Sequence, residues 1–93
     1  ISGGENVYPA EVEKVIYALP GVREVAVVGV ADEKWGEVGK AYVVAGNDLL
    51  NEKGVLDYCQ KHLAKFKIPK YVEFRQELPK GDSGKILKRA LMS

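Results

Sequence analysis

The stretch Val25-Ala26-Val27-Val28-Gly29-Val30 decides how this chain is read. It is almost wholly apolar and dominated by β-branched valine, without the alternation of a half-exposed strand, which predicts a strand covered on both faces and central in its sheet. Working outward, Asp32 to Gly39 is polar and glycine-punctuated, and Lys40-Ala41-Tyr42-Val43-Val44-Ala45 reads as a second strand that the connection lets run antiparallel. Upstream, Val12, Val15, Ile16 and Leu19 recur at i, i+3, i+4 and i+7 after Pro9, a pattern that predicts a helix ended by Pro20-Gly21. Downstream, Gly46-Asn47-Asp48 is a turn, and a second helix is expected from about Asn51 to Ala64, with Val55, Leu56, Cys59 and Leu63 on one face and Pro69 blocking its continuation. Tyr71 to Arg75 alternates with Val72 and Phe74 inward, a third strand with one wetter face. Lys80 to Gly84 is a loop, and Ile86, Leu87, Ala90 and Leu91 give a short terminal helix its apolar stripe. The predicted class is therefore α+β: a small mixed three-stranded sheet packed with about three helices in the order α-β-β-α-β-α, without internal repeats.

Ninety-three residues, 46% hydrophobic and 29% charged, suit one small domain with a single core. No apolar run approaches the length that crosses a bilayer, so no transmembrane segment is expected. The start, Ile1-Ser2-Gly3-Gly4-Glu5-Asn6, has neither the basic opening nor the apolar stretch of a signal peptide and lacks an initiator methionine, so the chain reads as part of a longer protein. The single cysteine, Cys59, can form no internal disulfide, which fits a reducing cytoplasmic setting, and it is expected in the core. His62 has no second histidine or cysteine at ligand spacing, so no metal site is assigned.

Net charge is +1, but residues 1 to 60 carry 5 basic and 10 acidic side chains, whereas 61 to 93 carry 9 basic and 3 acidic. A basic C-terminal third suits an anionic partner (a nucleotide, a phosphate-bearing cofactor or nucleic acid) or simply a solvated lysine-rich face. Lys85 and Lys88 are expected in the first turns of the terminal helix, where its dipole disfavours cations by roughly 0.3–1 kcal/mol. A loop with two glycines and a capping candidate in Asp82 or Ser83 would present such a lysine beside anionic oxygens. A basic nucleic-acid module is the competing reading, and the chain lacks the interleaved aromatics, helix-turn-helix or zinc signature that reading needs.

The segment Leu78-Pro79-Lys80-Gly81-Asp82-Ser83-Gly84-Lys85-Ile86-Leu87-Lys88-Arg89 closely resembles the last core motif of the adenylate-forming superfamily, which includes acyl- and aryl-CoA ligases, luciferases and peptide-synthetase adenylation domains. Three more segments resemble that family in the same order: Ser2 to Glu13, Val30 to Glu37, and Phe66-Lys67-Ile68-Pro69-Lys70. Four ordered segments spanning essentially the whole chain form a far more specific signal than Pro-x-x-x-x-Gly-Lys alone.

The resemblance implies that residues 1–93 are the mobile C-terminal domain of an AMP-forming acyl-CoA synthetase. It further implies a large N-terminal domain, absent from this chain, that holds ATP, Mg2+ and the carboxylic acid, with the hinge just upstream of Ile1. The small domain would serve two poses. In the adenylating pose Lys85 contacts the substrate carboxylate and the α-phosphate. In the thioester-forming pose Gly3, Gly4, Glu5 and Asn6 border the pantetheine channel of CoA, Trp35 and Phe66 match aromatics near CoA, and Lys67 and Lys70 suit its phosphates. Trp35 equally suits a cap on a sheet edge, Phe66 a core position ahead of a turn, and Gly3 and Gly4 a plain turn. Related aryl-CoA ligases often carry arginine where this chain has Ile68, which removes one cation. The implied reaction converts carboxylic acid, ATP and CoA to acyl-CoA, AMP and pyrophosphate, with fatty or aryl acids favoured by the wording of the first motif. An adenylation domain that loads a carrier protein is the alternative.

Overall fold

The computed structural model describes residues 7–92, so Gly3, Gly4, Glu5 and Asn6 lie outside the described residues. The elements are α1 (Pro9–Tyr17), β1 (Val22–Asp32), β2 (Gly36–Ala45), α2 (Glu52–His62), a 3-10 turn (Lys65–Lys67), β3 (Tyr71–Phe74) and α3 (Lys88–Leu91). This is the expected α-β-β-α-β-α order. The sheet runs β1-β2-β3, with β1 and β2 antiparallel and β2 and β3 parallel. A parallel neighbour needs a crossover, and α2 supplies it.

Proline at the first turn starts α1, and Val12 and Ile16, one turn apart, are its buried stripe. Leu19-Pro20-Gly21-Val22 then closes a type II turn: Val22 N–H donates to the Leu19 carbonyl at 3.2 Å, and Gly21 takes the left-handed φ of +100° that this turn requires. Asn51 caps α2 by accepting from Gly54 N–H at 2.8 Å. The sheet is covered on both faces. One face of β1 and β2 meets α1 and α2 in a core of Val12, Ile16, Val25, Val27, Ala41, Val43, Val55, Cys59 and Leu63, with Val72 and Phe74 of β3 packed inward as expected. The other face, Ala26, Val28, Tyr42 and Val44, is covered by Leu78 and Leu91 of the C-terminal segment. Fully burying each such valine, leucine or isoleucine stabilises the fold by about 1.5–3 kcal/mol.

Four expectations need correction. β1 is not central; it forms one edge of the sheet, and β2 lies in the middle. Its apolar run reports layers above and below it, and says nothing about lateral neighbours. Its outer edge is instead met by Glu13 of α1, whose Oε2 accepts from Val27 N–H at 2.8 Å. Secondly, most of Asp32 to Gly39 is strand, paired down to Asp32 opposite Gly36. Its polarity reflects exposure of the hairpin end from Glu33 to Glu37, not irregular backbone. Thirdly, α2 ends at His62, well before Pro69, because Leu63 turns extended (φ −129°, ψ 148°) to lead into the 3-10 turn. Lastly, α3 is a single turn that begins at Lys88, so Lys85 is not at a helix start and neither Asp82 nor Ser83 caps one; the N-cap position is Leu87, without a side-chain cap. Of the two lysines only Lys88 lies in that turn, and Glu13 pairs with it at 2.7 Å.

Candidate functional site

Part of the uneven charge of the sequence is spent internally. Lys67, Lys80 and Lys88 of the basic third reach back to Glu11, Glu24 and Glu13 of the acidic part, at 2.9, 2.8 and 2.7 Å. Arg75 joins Glu73, which also holds Lys40, both at 2.8 Å. Glu73 is held below the usual carboxylate range, first by Lys40 and then by Arg75, and Lys40 is raised chiefly by Glu73.

A groove of about 680 Å3 gathers Trp35, Phe66, Lys67 and Lys70, with Tyr8, Glu37 and Gly39 among its other walls. Trp35 sits at the tip of the β1–β2 hairpin, 42% exposed. The turn that presents it is shaped by Gly36 at φ +85° and by Asp32, whose Oδ1 accepts from the Lys34 and Trp35 N–H groups at 2.8 and 3.0 Å. The other oxygen of Asp32 accepts from the Tyr71 hydroxyl at 2.6 Å. That bond, followed by the two backbone N–H groups, holds Asp32 below the ordinary carboxylate range and raises Tyr71. Lys34 and Lys70 place their ammonium groups 5.0 and 4.9 Å from the indole centre. Phe66 is 57% exposed, so it is not a core residue; its ring leans on Tyr8 with centroids 5.9 Å apart. Lys67 is committed to Glu11 and lies over the rings of Tyr8 and Phe66, at 4.8 and 5.6 Å. Lys70 is therefore the more available cation for an incoming anion. Ile68 packs on the core instead of extending toward solvent. The groove can thus take a flat, anionic ligand between exposed rings and an ammonium group.

Lys85 lies elsewhere. Lys80 and Ile86 bridge, Gly81 N–H donates to the Lys85 carbonyl at 2.9 Å, and Gly84 N–H to the Gly81 carbonyl at 3.0 Å. Together these make a hairpin with a three-residue loop, Asp82-Ser83-Gly84, in which Gly84 takes φ +87°. Lys85 is the first residue past that loop, exposed, and among the described residues its ammonium has no ion-pair or hydrogen-bond partner. The groove shares no lining residue with this hairpin, whose flanks Leu78 and Ile86 pack on the sheet face opposite α1 and α2. Cys59 is wholly buried, and burial pushes its thiol up to about 11, which leaves it inert as a nucleophile. His62 stacks on Tyr58 with centroids 4.4 Å apart.

The sequence pattern missed four members of the groove and its surround. Tyr8 hides in a motif read for its glycines, Lys34 is one residue from the Trp35 it flanks, and Asp32 and Tyr71 are 39 positions apart, a pairing that only the sheet creates.

The chain is similar in sequence and fold to several CoA ligases. The long-chain-fatty-acid–CoA ligase FadD13 of Mycobacterium tuberculosis is 54% identical over 91 residues, which is 98% of this chain and 18% of that protein. Among solved structures, the Mycobacterium tuberculosis fatty acyl CoA synthetase superposes with a TM-score of 0.91 at 54% identity, over 98% of this chain and 18% of that one. The o-succinylbenzoate CoA synthetase of Bacillus subtilis, solved with its acyl-adenylate intermediate, gives 0.87 at 43% identity, over 98% and 19%. The chain thus spans about 18% of the length of the curated relatives it matches. With residues 11–85 matching the model of the AMP-binding enzyme C-terminal domain, this chain belongs to that family.

Proposed function

We propose that this chain is the small C-terminal domain of an AMP-forming acyl- or aryl-CoA ligase, which turns a carboxylic acid, ATP and CoA into acyl-CoA, AMP and pyrophosphate. The observation that carries the reading is the separation of two chemically distinct surfaces: an exposed Lys85, unpaired among the described residues, on a glycine-shaped hairpin, and an aromatic and cationic groove with which that hairpin shares no wall. One domain then serves two half-reactions by presenting one surface at a time to a large N-terminal domain. Lys85 neutralises charge on the carboxylate and α-phosphate oxygens as pyrophosphate leaves. A unit charge about 4 Å away contributes roughly 4 kcal/mol at an effective dielectric near 20.

In the second step the nucleotide end of CoA occupies the groove, stacked on Trp35 and Phe66, with Lys70 on a phosphate, and its pantetheine arm passes Gly3, Gly4, Glu5 and Asn6. Lys67 joins only by releasing Glu11. Magnesium and most ATP contacts fall to the large domain; among the described residues no group of three or more His, Cys, Asp or Glu side chains is arranged to hold a cation. No helix among the described residues is long and apolar enough to cross a membrane. The free, buried Cys59 of this chain suits a reducing setting, and we place the enzyme in the cytoplasm. The test is thioester formation by the full-length ligase, supplied with acid and ATP and either free CoA or a phosphopantetheinyl carrier protein. Turnover with free CoA is expected; turnover with the carrier protein alone overturns the reading.

A further inference from the structure

The Asp32–Tyr71 hydrogen bond ties together the two segments that build one end of the groove. Tyr71 directly follows Lys70, and Lys70 N–H is itself held by the Gly39 carbonyl at 2.9 Å. Asp32 uses one oxygen to hold the backbone of the turn that carries Trp35 and the other to accept from Tyr71 at 2.6 Å. The turn lies beyond the helical layers, exposed from Glu33 to Glu37, so bonds of this kind orient it where burial does not. Strand alternation puts Asp32 with Ala26, Val28 and Val30, on the sheet face away from the groove, and neither Asp32 nor Tyr71 lines the groove. Neither is a wall of the groove, and the Asp32 carboxylate acts there only through the turn it holds and its attraction for the Lys70 ammonium.

We propose that Asp32 and Tyr71 are positioning residues for CoA, which fix the Trp35 turn against Lys70 so that the stacking ring and the ammonium are already set when the nucleotide end arrives. The inference rests on the reading of the groove as the CoA site. An exposed pair of this kind contributes little to global stability, whereas ordering a turn in advance removes a cost from binding.

The experiment compares Asp32→Ala, Asp32→Asn, Tyr71→Phe and Trp35→Ala in the full-length ligase. It measures KM for CoA in the thioester step, adenylation by pyrophosphate exchange without CoA, and the melting temperature. Trp35→Ala is expected to raise KM for CoA roughly tenfold or more, the scale of a lost base–aromatic stack. Asp32→Ala should raise it by about three- to tenfold relative to any change in adenylation, Tyr71→Phe by less, and Asp32→Asn, which keeps the acceptor for the turn, should largely restore it. An unchanged KM in Asp32→Ala and Tyr71→Phe while Trp35→Ala raises it overturns the positioning role alone. An unchanged KM in Trp35→Ala overturns the groove reading and this inference with it. Parallel loss of adenylation, CoA affinity and melting temperature marks a purely structural pair and overturns the inference. If Asp32→Ala fails to fold, Tyr71→Phe, which keeps the turn and loses only the tie, decides alone.

Discussion

Replacing Glu13 by alanine should destabilise this domain far more than a surface carboxylate normally would. A single oxygen, Oε2, accepts from Val27 N–H at 2.8 Å and from the Lys88 ammonium at 2.7 Å, so one side chain joins α1, the outer edge of β1 and α3. Val27 is 1% exposed, and without Glu13 its N–H faces a part-buried space with no acceptor, at a cost of about 1–3 kcal/mol. The Lys88 pair, with side chains 40% and 25% exposed, adds about 0–1 kcal/mol. The total, about 1–4 kcal/mol, corresponds to a fall in melting temperature of roughly 4–30 °C for a domain of this size. Glu13→Gln keeps an acceptor for Val27 and loses only the charge, so it should cost less than about 1 kcal/mol. Urea denaturation followed by circular dichroism measures both. Raising the salt should shrink the difference between glutamate and glutamine and leave that between glutamine and alanine. Equal losses in the two variants would refute the edge-capping argument and leave only the ion pair; an alanine variant within about 0.5 kcal/mol of the native chain would refute both.

In the full-length ligase, Lys85→Ala should lower adenylation by about 10²–10³ and leave thioester formation from supplied acyl-adenylate nearly intact; pyrophosphate exchange and single-step thioester assays separate the two, and equal loss in both would count against two poses. Gly4→Leu should spare adenylation and cripple transfer to CoA at an unchanged melting temperature, because an added side chain would fill the path of the thiol arm; a stable variant with normal transfer would remove the channel role. Stability should decline as pH falls below the usual carboxylate range. Asp32 and Glu73 have folded-state pKa values lowered by Tyr71 and Lys40 respectively, so their contribution is full above the unfolded carboxylate pKa and is lost as pH drops through the folded one. Acid titration of the melting temperature for the native chain against Glu73→Gln measures the second of these, and identical acid profiles would refute it.

Element types and order were legible because each is written locally: i, i+4 valine and isoleucine in α1, the apolar face of Val55, Leu56, Cys59 and Leu63 in α2, alternation in β3. Lateral order was not. The run Val25 to Val30 is as apolar as a central strand because two layers cover it, and nothing in it records that one flank ends at Glu13. The terminal segment misled for a related reason. Ile86, Leu87, Ala90 and Leu91 have helical spacing, yet Ile86 is spent on a bridge to Lys80, and Leu87 stays 46% exposed. The lysines were legible as residues but not as states: which are neutralised depends on partners 56 positions away, as in Lys67 with Glu11 and Lys80 with Glu24.

Trp35 is the chain's only tryptophan, and it stands half exposed with two ammonium groups about 5 Å from its ring. Indole emission responds to nearby charge and to the polarity of whatever lies against its face, and a ligand that stacks there has to change both. The groove therefore carries its own optical reporter. Excitation selective for tryptophan reads this one ring in the native, unlabelled chain, free of signal from Phe66 across the groove, so the filling of a binding surface can be followed in real time by fluorescence intensity alone.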